Sequence, residues 1–251
     1  MCIEKKYPLS LGLDHPTVQQ VIDVAVELTK EHRLINTELL YNRAKKKLKI
    51  PRSGLKTIIQ MLINRKILVD GSRFTNETIL KNNFRQFIYR IIKTNIGIHF
   101  SSLKETCARY KDHEIGVGHL VWHLEKLIKF NLVKKVKVNN YTIFLPVEVS
   151  DEEGMLYFIL SDGLNRAIVK LILDKKEINR AIIYKELNLE REKVYYRLKK
   201  LTKYGIISPS PEGEKRLSIK LNKRALISEV ITNIVNNMQN NQEVNLISME
   251  M

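Results

Sequence analysis

The chain has 251 residues, 44% hydrophobic and 28% charged, with 43 Lys/Arg against 27 Asp/Glu and a net charge of +16. Two cysteines are too few for a disulfide framework, no run approaches the roughly 20 apolar residues of a membrane span, and the start MCIEKKYPLSLGLDHP lacks a signal-peptide core, so a reducing cytoplasmic setting is expected. The charge is net +6 over residues 1–80, +7 over 81–150, +4 over 151–222 and −1 beyond, a spread that suits a long polyanion such as nucleic acid but is equally that of a lysine-rich solvated surface.

In chain order, Val18–Arg33 carries Val21, Ile22, Ala25 and Leu28 on one face and is predicted as a helix entered near Asp14-His15-Pro16. Thr37–Leu48 is a second helix, stopped by Ile50-Pro51. Gly54–Arg65 is a third, with Ser53 as its cap. Ile67–Val69 and Arg73–Thr75 flank Asp70-Gly71 as a hairpin.

A second round follows. Asn82–Thr94 turns Phe87, Ile88, Ile91 and Ile92 inward. Gly97–Phe100 is short and extended, and Ser101 or Ser102 caps a helix to about Tyr110. After Gly116 and Gly118 a long helix runs to Phe130, and strands Leu132–Val138 and Tyr141–Leu145 flank Asn139-Asn140. Val147–Gly154 reads as an acidic linker, with Ser150 and Glu153 at capping-box spacing. The third round is Met155–Leu173 (one helix, or two broken near Asp162-Gly163), Arg180–Leu187, Glu190–Tyr204, and a wing from Ile206 to Leu221. Ala225–Met238 carries a stripe of Ile227, Val230, Ile231, Ile234 and Met238, a terminal helix before a frayed tail.

The three rounds superimpose. Leu55/Leu120/Val194, Ile59/Leu124/Leu198 and Leu62/Leu127/Leu201 form one buried helix face, and Ile67/Leu132/Ile206 with Leu68/Val133/Ile207 lead into a strand. The expected fold is mostly α with small β-hairpin wings: three tandem winged helix-turn-helix domains at 1–80, 81–149 and 150–222, plus a C-terminal helix and tail at 223–251.

Such a domain places its third helix in the major groove and its wing along the phosphate backbone. Outward positions are expected to be Gly118, His119, Val121, Trp122, His123 and Lys126 in the second repeat, and Lys193, Tyr195, Tyr196, Arg197, Lys199 and Lys200 in the third. Lys134, Lys135 and Lys137 on one wing, and Lys215 and Arg216 on the other, suit phosphates. The first repeat offers Ile58 and Gln60 outward and is expected to brace the chain or bind a protein partner. Each of these also has a plainer reading: lysines solvate any surface helix, and Trp122, Tyr195 and Tyr196 pack against neighbours as readily as against bases.

The segment GIHFSSLKETC…IGVGHLVWHLEKLIKFNLVKK, Gly97 to Lys135, resembles archaeal multi-winged-helix transcriptional regulators of the ArsR-like type. Phe100 and Leu103 fit that pattern before the recognition helix, and Leu120, Trp122, His123, Leu124 and Leu127 fit it within the helix. Val194, Tyr196, Leu198 and Leu201 fit it in the third repeat, with Arg197 in place of the histidine. The resemblance implies sequence-specific binding of double-stranded DNA, with His123 facing DNA and no catalysis or cofactor.

A metal site from Cys107, His113, His119 and His123 is disfavoured, because C-x5-H-x5-H-x3-H is not a zinc spacing. Nucleotide-binding glycine loops, HExxH and nucleophile elbows are missing, and Asp151-Glu152-Glu153 reads as a solvated cap, so no enzyme is expected. Stacked winged helices also serve as protein-interaction scaffolds of the endosomal-sorting or polymerase-associated type, which remains the alternative; single-stranded or RNA binding through Tyr195 and Tyr196 is a third. The terminal stripe has two destinations, its own domain or a second copy in a homodimer.

Overall fold

The computed structural model describes residues 12–31, 33–108, 116–209, 218–222 and 231–234. Cys2, His113, Lys215, Arg216, the third wing's tip and most of the expected terminal helix lie outside the described residues. The chain divides into two compact units, Met1–Glu148 and Val149–Met251.

In the N-terminal unit, α1 (Pro16–Lys30) opens with proline at its first position, where no N–H is needed, and His15 Nδ1 accepts from the Thr17 N–H. α2 (Thr37–Lys47) is capped by Asn36, and α3 (Arg52–Asn64) starts directly after Pro51. Ser53 is therefore inside the helix and does not cap it. These helices enclose a core that includes Val21, Leu28, Leu40, Leu55, Ile59 and Leu62.

The first wing departs from the expected hairpin, making only the bridges Leu68↔Thr75 and Ile35↔Ser72. Its turn is held by the α1–α2 connection instead. Asp70 accepts from the Thr37 N–H at 3.1 Å, Gly71 N–H donates to Ile35 O at 2.7 Å, and Ile35 N–H donates to Ser72 O at 2.7 Å. Thr75 then enters a single turn, α4 (Asn76–Ile79), rather than a strand.

The second repeat comprises α5 (Asn83–Thr94), β1 (Ile98–His99), α6 (Phe100–Ala108), α7 (Val117–Lys129), β2 (Val133–Val138) and β3 (Tyr141–Pro146). Its antiparallel sheet runs β1-β3-β2, with Val138 opposite Tyr141 around Asn139, whose φ of 52° is the left-handed conformation expected there. Cys107 is buried in this core, which pushes its thiol up to about 11 and keeps it protonated. Phe130, Val69 and Ile79 form a buried cluster shared by the first two repeats.

The C-terminal unit begins earlier than the expected linker allows: α8 (Asp151–Leu160) starts right after Ser150, whose Oγ accepts from the Glu153 N–H at 3.1 Å. α9 (Gly163–Lys175) is separate, because Asp162 Oδ1 caps it through Leu164 and Asn165 N–H at 3.0 Å each. β4 (Glu177–Asn179), α10 (Arg180–Glu186), α11 (Arg191–Lys203), β5 (Ile207–Pro209) and β6 (Ser218–Leu221) complete it, with sheet order β4-β6-β5. Residues 231–234 are helical, and Ile231 and Ile234 are fully buried in this unit's core, so two residues of the terminal stripe are already packed at home. The architecture is mostly helical with small antiparallel sheets, compatible with winged helices. Among the described residues no helix is long and apolar enough to cross a membrane.

Candidate nucleic-acid interface

The stripe that folds α7 is Leu120, His123, Leu124 and Leu127, all buried. Its opposite face exposes Val117, Gly118, His119, Trp122, Glu125 and Lys129, with Lys126 half-buried. A Cβ on Gly116 or Gly118 would meet no atom within 4 Å, so packing among the described residues needs neither glycine. Val121 is half-buried rather than outward.

His123 corrects the sequence reading. It is 2% exposed, because it lies three residues after Leu120 and four before Leu127 on the inward stripe. Burial, with His119 and Arg85 nearby, drives its pKa down to about 4, so it is neutral at pH 7. Its Nε2 lies 3.1 Å from His119 Nε2, and its Nδ1 is buried with no hydrogen-bond partner. Phe84 stacks on His119 at 5.3 Å and meets His123 edge-on at 5.1 Å. The same stripe buries Ile58 in the first repeat, at 1% exposure, leaving Arg52, Ser53, Lys56, Thr57 and Gln60 as the outward residues of α3.

Trp122 is 45% exposed but engaged, edge-on to His123 at 4.8 Å and beneath Lys126 at 5.4 Å. Sequence reasoning missed Arg85. It sits in the first turn of α5, is 3% exposed, and lies 4.5 Å from the Phe74 ring and 5.7 Å from the Trp122 ring. The only signal for it was an arginine three residues after a capping asparagine, a pattern that ordinarily marks a solvated first turn. On the wing, Lys135 and Lys137 are exposed, Lys134 is half-buried, and Tyr141 is 51% exposed.

On α11 the inward stripe is Val194, Leu198 and Leu201, and the outward face carries Lys193, Tyr196, Lys199 and Lys203, all exposed, with Glu192 as its acid. Tyr196, 58% exposed, has Lys200 at 5.0 Å and Arg197 at 5.9 Å from its ring. Tyr195 is half-buried between Arg191 at 5.2 Å and Arg180 at 5.6 Å. Arg197 is not a free outward cation: its Nη2 meets Asp162 Oδ2 at 2.9 Å. No group of three or more His, Cys, Asp or Glu able to hold a metal occurs among the described residues.

No family model matches the chain. Over 163 residues, 65% of its length, it is 32% identical to an uncharacterised HTH-type transcriptional regulator of Methanocaldococcus jannaschii. The match takes in 38% of that relative, so the chain spans well under half the length of the curated protein it is similar to.

Proposed function

We propose that this chain is a sequence-specific, double-stranded DNA-binding transcriptional regulator of the winged-helix type, built from three tandem winged helices. In this reading α7 and α11 enter major grooves and the second and third wings track phosphates, Lys215 and Arg216 included. The first repeat braces the assembly or holds a protein partner. The observation that carries it is the outward face of α11: four residues at helical spacing, three of them lysines and the fourth an aromatic, fed by Lys200 on the same side. His119, Gly118 and Trp122 on α7, with Lys135 and Lys137, form the second contact set. The likeness to an archaeal HTH-type regulator supports the same class. His123 and Arg197 drop out as direct readers and act instead as supports of their helices.

The test is selection of duplexes from a random pool, followed by a salt series on the winner. Enrichment of one sequence is expected, and Lys199→Ala/Lys200→Ala should flatten the slope of log affinity against log salt by about 0.9 per lost phosphate contact. Failure to bind any duplex at low salt sinks the reading and promotes the protein scaffold, for which exposed Val117 and Trp122 would be the docking residues.

A further inference from the structure

Three repeats solve one corner differently. Position 18/85/165 stands three residues past the cap of α1, α5 and α9, and position 58/123/197 follows the first stripe residue of α3, α7 and α11 by three. In the first repeat both are apolar and buried, Val18 and Ile58. In the third repeat the cation is Arg197, and the chain supplies its anion from the cap, Asp162 Oδ2 at 2.9 Å. In the second repeat the cation is Arg85, the cap is the neutral Asn82, and the third helix contributes the neutral His123.

Among the described residues Arg85 is therefore a buried charge without an anion. Its Nε and Nη1 are sealed from solvent with no hydrogen-bond partner, as is Nδ1 of His123. It forms no ion pair among the described residues, and burial lowers its pKa. The rings of Phe74 and Trp122 give the guanidinium some electrostatic relief, less than burying an unpaired ion costs. Unused guanidinium donors beside an imidazole are the chemistry that takes a carboxylate or phosphate, and the third repeat has a carboxylate against the cation of its corresponding corner.

We propose that the second repeat binds a small free oxyanion, carboxylate or phosphate, on the Arg85 guanidinium, with His123 and His119 beside it and the partly exposed Trp122 ring as the movable cover. The site shares His119 and Trp122 with the proposed DNA face, and would sense a metabolite-sized anion in the DNA-free chain. Trp122 is the chain's sole tryptophan, so its emission reports this corner alone.

The experiment titrates the full chain with inorganic phosphate and with succinate, each against chloride at matched ionic strength, following Trp122 emission. A saturable change with at least one of the two is expected. It should weaken about tenfold or more in Arg85→Gln, which replaces an unpaired buried charge and is expected to fold at least as well. Should Arg85→Gln fail to fold, Arg85→Lys keeps the charge, loses the fork, and is expected to weaken the response in the same direction. No response to either anion in the unaltered chain overturns the proposal, as does an equal response in the folded Arg85 variants. A response to duplex DNA but to neither small anion overturns it by assigning the corner to backbone phosphate.

Discussion

The second and third repeats share an apolar stripe and differ at one polar corner. Around Arg197 the charge is closed: one carboxylate caps α9 with Oδ1 and holds α11 with Oδ2. Asn165 adds a 2.8 Å bond from its Nδ2 to Ile159 O, though its Oδ1 stays buried without a partner. Around Arg85 the charge is open, walled by Phe74 and Trp122 and backed by an imidazole that burial keeps neutral. Equivalent backbone positions can thus be used either to fix a helix or to hold a charge in reserve. Only the former is complete within the chain's described residues.

The largest effect should leave the comparison untouched. Leu124→Ala and Leu198→Ala sit at the same stripe position, 3% and 6% exposed, and each should cost about 2–5 kcal/mol in urea unfolding. A cost below about 1 kcal/mol at either would mean the stripe does not carry that repeat's stability.

A smaller effect separates the corners. His123 is depressed to about 4 in the fold from an ordinary 6.5, so between those values the unfolded chain binds a proton that the folded one refuses. Stability of the N-terminal unit should therefore be full above pH 6.5, fall as pH drops towards 4, and level off below it. The loss should be on the order of 3 kcal/mol, accumulating at about 1.4 kcal/mol for each pH unit crossed in that window. Unfolding followed by Trp122 emission measures this, and His123→Leu should flatten the profile. An unflattened profile would place the acid sensitivity elsewhere.

The smallest effect tests the closed corner. Asp162→Asn keeps a capping oxygen while removing the carboxylate, so it isolates the ion pair from the cap. A double-mutant cycle with Arg197→Met should give a coupling of roughly 0.5–1 kcal/mol, modest because both side chains are partly exposed, at 25% and 33%. Zero coupling would reduce the pair to a surface contact.

How much of this was legible in the sequence depends on what each position needs. The stripe was readable because Leu and Val at four- and three-residue steps have one physical use. The same arithmetic puts 58, 123 and 197 on that stripe, yet residue type argued against it for the histidine and arginine. A neutral imidazole can be buried where a charged one resists it, and that depends on Phe84, Arg85 and Trp122 arriving from elsewhere. Arg85 was invisible for the converse reason: nothing local distinguishes an arginine whose solvent is replaced by Phe74, eleven residues earlier. The first wing was overread because Asp-Gly favours a hairpin, while the Asp70 carboxylate was taken by Thr37, thirty-three residues away.

Phe130 has a bearing on modularity. It terminates α7, is 1% exposed, and is walled by Val69 and Ile79 from the preceding repeat. Excising residues 81–148 as a free-standing module would strip that wall and leave a bare aromatic at the foot of the helix. The first two repeats are therefore a single unit of expression and of transplantation, to be moved as a pair.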